Sequence, residues 1–238
     1  MRTLYKTTLF LAVGAFCMGI GTSLRAQTTI FDNSVNDLVT RFNPGTYQVG
    51  DEILLAGTAR YLTYFSFEYW GTSGGSDTAP SFSAPITATV TFYENDGSPF
   101  NGYATPGTSF FSESFSVSAP TPRKTFIFTA GTDFASGGLF IPTSDMTWSV
   151  QFSGMGATDD VGVDIYAPPT VGSDYPDYWQ NDGTAISPSW VLLTNTVPMD
   201  FAALMQANET VPEPSSLALL LAGGLGILTL ARRLRHKA

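Results

Sequence analysis

The sequence predicts an all-β protein built around one antiparallel β-sandwich, jelly-roll-like, and three observations carry that expectation. Apolar and polar residues alternate with a period of two through several segments, as strands with one buried face require. Turn-forming Gly, Pro, Asn and Asp cluster between those segments. Only 13% of the residues are charged, while 13% are aromatic, enough ring surface to build a core and to argue against a disordered chain.

The elements follow in order. Candidate strands cover 47–56 and 60–70, and the run from Gly71 to Ser76 reads as a turn. Ile86, Ala88, Val90 and Phe92 then alternate with Thr87, Thr89, Thr91 and Tyr93. Asn95-Asp96-Gly97 and Pro106-Gly107 break the chain before strands at 110–118 and 124–130, and Gly137-Gly138 marks the next turn. Met146, Trp148, Val150 and Phe152 alternate with Thr147, Ser149 and Gln151. Val161, Val163 and Ile165 do so with Gly162, Asp164 and Tyr166. After Pro168-Pro169 and Asn181-Asp182-Gly183, strands are expected at 189–194 and 200–207, although Phe201-Ala202-Ala203-Leu204-Met205 also fits a helical turn. About nine strands and turn-rich spacers suit a sandwich. No repeat or composition break divides the region, so one domain is expected over 27–208.

Charge is distributed unevenly. Between residues 27 and 211 lie four basic residues (Arg41, Arg60, Arg123, Lys124) and nineteen acidic ones, a formal charge of −15. Such a surface repels phosphate backbones, so no nucleic-acid partner is expected; it suits solubility outside the cell. Cys17 and His236, each the sole residue of its type, fall at opposite ends of the chain. A thiol nucleophile, a Ser-His-Asp triad, a His-bearing zinc site and a disulfide are therefore excluded from the domain between them.

Both ends read as addresses. Residues 1–26 follow the plan of a secretory signal: Arg2 and Lys6, a twelve-residue apolar run from Leu9 to Ile20, then small residues, with cleavage expected between Ala26 and Gln27. Residues 209–238 have a different order. Val211-Pro212-Glu213-Pro214 precedes seventeen uncharged residues, Ser215 to Ala231, and then Arg232, Arg233, Arg235 and Lys237. Seventeen helical residues reach roughly 26 Å, the short limit for a membrane span. The basic cluster is expected to act as a membrane stop in the cytoplasm, leaving the domain on the far side. The prolines keep the segment before Ser215 extended and open to a processing enzyme.

This order resembles the PEP-CTERM sorting signal over about residues 211–238. The resemblance implies export by a Gram-negative bacterium that makes exopolysaccharide, processing by an exosortase partner that recognises Pro212, Glu213 and Pro214, and delivery from an inner-membrane-anchored precursor to the cell surface or extracellular matrix. No enzymatic role is expected; a structural or adhesive one is. The alternatives are a carbohydrate-binding module with the same tail and a secreted glycosidase-like enzyme.

Within the domain, Tyr175, Tyr178 and Trp179 are the candidates for binding glycan, because aromatic rings beside acids and amides stack on sugars and bond their hydroxyls. A loop can equally tuck such rings under the sandwich edge. Asp159, Asp160 and Asp164 are candidates to hold a hard cation such as calcium, and Glu94-Asn95-Asp96 is a second oxygen-rich turn. Neither has the spacing of a known calcium loop, and Asp and Asn also favour turns. No other cofactor is expected. Catalysis by paired carboxylates needs two acids about 5–10 Å apart, and no strand displays a persuasive pair.

Overall fold

The structure is a computed structural model that describes residues 27–181, 183 and 189–209. Fourteen strands run through them: β1 (Thr28–Asn33), β2 (Asp37–Phe42), β3 (Gln48–Leu54), β4 (Tyr61–Ser73), β5 (Ile86–Glu94), β6 (Ser109–Val117) and β7 (Thr121–Thr129) in the first half. The second half adds β8 (Leu139–Phe140), β9 (Asp145–Ser153), β10 (Asp159–Tyr166), β11 (Ser173–Asp174), β12 (Asp177–Asn181), β13 (Trp190–Thr194) and β14 (Ala203–Asn208). They form two antiparallel sheets packed face to face as a β-sandwich.

β4, thirteen residues long, is the spine of the first sheet. One of its edges pairs with β14 along Tyr61–Phe67 and then with β10 along Tyr69–Ser73. Its other edge carries β8 and β7, while β1 lies outside β14 and β2 outside β10. The second sheet runs β13-β12-β3-β9-β5-β6, and β11 pairs with the far end of β3 beyond β12.

The core follows from strand alternation. Phe65, Phe67 and Tyr69 of β4 point inward with Phe92 of β5 and Trp148 of β9, all at most 1% exposed. Phe65 meets Phe92 edge-on at 5.0 Å and Trp148 at 5.4 Å. Burying each such ring contributes roughly 1.5–3 kcal/mol. The chain crosses between sheets from β6 to β7, and there Phe115 stacks on Phe126 with centroids 3.5 Å apart.

Several expectations hold and several need correction. The runs at 60–70, 86–93, 146–152 and 161–166 are strands with buried alternate residues. Residues 203–208 are strand β14 rather than a helical turn, because they fill the gap between β1 and β4. The turn expected at Gly71 begins only after Ser73, since Gly71, Thr72 and Ser73 still pair with β10. A Cβ on Gly71 would lie 2.8 Å from the Phe82 ring, so glycine there serves close packing rather than turning. β1 and β2 were not anticipated: each is interrupted by a bulge, which breaks the period of two.

Candidate functional site

The outer face of the second sheet gathers acids and aromatics where β12, β3 and β9 lie side by side. β3 turns Val49, Asp51 and Ile53 into the sandwich and leaves Gln48 and Glu52 on the outside. Trp179, paired with Gly50, shares that outer face, and its Nε1 donates to Glu52 Oε2 at 2.9 Å. Gly50 carries no side chain for a steric reason: a Cβ there would meet Thr147 Cγ2 at 2.6 Å.

Around Glu52 the donors and acceptors interlock. Its carboxyl contacts that of Asp145. Asn95 Nδ2 donates to Asp145 Oδ1 at 2.6 Å, and Thr147 Oγ1 donates to Asn95 Oδ1 at 2.7 Å. Burial raises Glu52 to about 7. The Trp179 donation opposes that rise, whereas the charges of Asp145 and Asp177 and the contact with Asp145 add to it. Burial also raises Asp177. Tyr175, 42% exposed, stands close enough for Glu52, Asp145 and Asp177 to reinforce the effect of burial on its phenol. At neutral pH this cluster can offer a protonated carboxyl, an amide and an aromatic ring together.

The same face continues over β9, β5 and β6 as a field of neutral hydrogen-bonding groups. Gln48 Nε2 donates to Tyr93 Oη and to Ser149 Oγ, both at 2.9 Å, and Tyr93 meets Trp190 edge-on at 5.6 Å. Thr89 pairs with Ser114 at 2.8 Å and Thr91 with Ser112 at 3.1 Å, hydroxyl to hydroxyl across the strands.

The sequence candidates are distributed differently from their spacing. Of the three aromatics, only Tyr175 presents its ring to solvent. Tyr178 points inward, packing on Phe42 at 5.0 Å and on Phe201 at 6.3 Å. Trp179 is fully buried on the outer face. The stretch carrying both is strand β12, so adjacent rings take opposite faces.

Asp159, Asp160 and Asp164 are not brought together. Asp159 accepts from the amide and hydroxyl of Ser83 and the amides of Ala84 and Gly156. Burial alone would raise its carboxyl, but these bonds, those from Ser83 foremost, hold it well below the usual range. Asp160 takes the other face of β10 and accepts from Asn43 Nδ2 at 2.8 Å. Asp164 lies between Arg123 at 3.8 Å and Arg41 at 4.0 Å. Burial lifts it to about 6 despite those cations. Among the described residues, no group of three or more His, Cys, Asp or Glu side chains could hold a metal ion.

Arg123 is the hub of a separate network that composition did not reveal. It reaches Asp37 at 2.5 Å and Glu68 at 3.2 Å, and lies over the Tyr166 ring, whose hydroxyl donates to Glu68 at 2.7 Å. Glu52, Asp145 and Asn95 were missed as a group because they come from β3, β9 and the β5 end. Their local signals were the acid pair Asp51-Glu52 inside an apolar strand and the oxygen-rich turn Glu94-Asn95-Asp96. In that turn Asn95 joins Asp145, while Asp96 accepts from the amide and hydroxyl of Thr108.

Gln27, at the expected signal cleavage, is exposed and donates to Thr63 Oγ1 at 2.7 Å. Ala26, the Pro212-Glu213-Pro214 motif and the basic stop at Arg232, Arg233, Arg235 and Lys237 lie outside the described residues. Compared with known proteins, the chain matches no family model and no curated relative.

Proposed function

We propose that this chain is an exported cell-surface or extracellular-matrix protein with a structural or adhesive role, and that its jelly-roll-like sandwich is delivered by a signal peptide and a PEP-CTERM tail. The observation that carries the reading is the order of Pro212-Glu213-Pro214, an uncharged apolar run and four fixed basic charges, opposite a positively charged apolar N-terminus. The role of the domain as a scaffold is supported by how its polar groups are used. Asp159 anchors a loop, Arg123 ties β7 to β2 and β4, and Trp179 with Glu52 joins β12 to β3.

Intact-mass measurement of the mature protein from its own cell envelope tests the reading. Loss of residues 1–26 and a second cut near Pro212-Glu213-Pro214, blocked by Glu213→Ala, is the expected result. A protein retaining both ends contradicts it.

Carbohydrate binding is the second reading, favoured by the half-exposed Tyr175 beside Glu52, Asp145 and Asp177. Retention on a neutral polysaccharide column that is lost on Tyr175→Ala supports it; equal retention of the variant removes Tyr175 from any such site.

A further inference from the structure

A second group of carboxyls lies inside the sandwich, beneath the first and on the opposite face of β3. Asp51, in the middle of β3, is fully buried. Its Oδ2 accepts the Phe201 amide at 2.8 Å, and its Oδ1 has no partner. Asp200 is 4% exposed, with Oδ1 unpartnered. Asp174, on β11, has Oδ2 buried without a donor, and its carboxyl lies beside that of Asp200, close enough for each to shift the other. Two ionised carboxylates are both acceptors, so such a contact requires a proton between them.

Among the described residues no cation answers this group. The titratable groups facing it are Asp51 from β3, Asp174 from β11 and Asp200 from the segment before β14, and Asp177, at the start of β12, adds its charge. Tyr178, also on β12, packs its ring against Phe201. The four bases of the described residues are engaged elsewhere. Arg41 and Arg123 are in the network around Asp164, Arg60 bonds the carbonyls of Ala56 and Ala59, and Lys124 bonds Ser118.

We propose that a proton shared by Asp174 and Asp200 is a latch that fastens β11 and the segment before β14 to the middle of β3, and that rising pH releases it. β11 pairs with β3 through only two residues, Ser173 with Leu54 and Asp174 with Ile53, and just before it Val171 is bonded to the Asp32 backbone, so the carboxyl contact adds to a short attachment. The next residue is Tyr175. Release of the latch therefore moves the exposed ring away from Glu52 and Asp145, and the chemistry of the inner group governs the geometry of the outer one.

The direction follows from linkage. Burial first, then the charge and contact of Asp174, raises Asp200 to about 8; burial raises Asp174 to about 6. Burial, with the charges of Asp174 and Asp200, holds Asp51 well above the carboxylate range. Groups raised on folding stabilise the latched state fully below about pH 4, and that stabilisation is lost as the pH climbs through about 6 to about 8.

Amide hydrogen exchange on the full chain in mild detergent, with intrinsic rates divided out, tests the latch. Protection over 171–175 and 199–202 should fall about tenfold per pH unit between about pH 6 and pH 8, one proton being released per opening. Asp200→Asn, which supplies an amide donor in place of the proton, should flatten that profile, and Asp174→Asn gives an independent second variant. Wild-type protection constant across this range overturns the proposal, as does a decline that persists in both variants. Calcium restoring protection at about pH 8 also overturns it, because a metal rather than a proton would then close the group.

Discussion

Trp179 Nε1 and Glu52 Oε2 are joined at 2.9 Å across β12 and β3, so the ring most suggestive of ligand stacking is spent on holding a strand. Replacing Trp179 by Ala removes a fully buried ring and the donor that Glu52 uses, and should cost about 3–5 kcal/mol. Tyr175→Ala, at an exposed position, should stay within about 0.5 kcal/mol. Urea unfolding of both variants checks the contrast; a Trp179→Ala loss as small as that expected for Tyr175→Ala would mean that Trp179 is not structural.

Phe65 touches Phe92, Phe128 and Trp148 and so bonds the two sheets through their centre. Phe65→Ala should cost about 3–5 kcal/mol, whereas Phe65→Leu, keeping most of the volume, should cost less than half of that. Thermal unfolding of the pair reads the difference directly.

Arg123 answers three acids at once. Because it is 42% exposed, solvent screens much of that attraction, and Arg123→Gln should cost only about 1–2 kcal/mol near neutral pH. Asp164, raised to about 6 by burial, loses a cation that holds it down, so its carboxyl moves higher still. The group is protonated on both sides of the unfolding equilibrium at low pH. The penalty should therefore shrink below about pH 4 and grow as the pH rises through about 6. Denaturation at several pH values measures this; a penalty independent of pH would show that Arg123 does not act through Asp164.

Asp159 behaves with the opposite sign. Its carboxyl is depressed in the fold, so its bonds to Ser83 and Gly156 stabilise the protein fully above the ordinary aspartate range; that contribution shrinks below this range and is lost only as the pH falls on through the depressed folded value. Asp159→Ala should lower the melting temperature at neutral pH, and the gap from wild type should close in acid. A gap that stays open in acid would point to lost packing instead.

The parts of the fold legible in the sequence are those where one face is buried and nothing interrupts the alternation. β5 shows this best, with Ile86, Ala88, Val90 and Phe92 inside and three threonines outside. β2 hides its identity because Val39, at φ 55°, introduces a bulge that shifts the pairing between Ile165 and Tyr166. β12 hides it differently: Tyr178 and Trp179 are both buried, one on each face, and period two vanishes when both faces are covered. The acid clusters were less legible still. Asp51 and Glu52 are neighbours in the chain yet belong to different groups on opposite faces, and their partners come from distant strands. Sequence proximity made Asp159, Asp160 and Asp164 look like one site, and strand alternation separates Asp159 from the other two.

The topology claim is tested most directly by alkaline phosphatase fused after Glu209 in the native host. An enzyme active only outside the inner membrane should report full activity there, and lose it when Arg2, Lys6 and the apolar run from Leu9 to Ile20 are deleted. Phosphatase confined to the cytosol, with the sandwich beside it, would contradict the account of where this protein works.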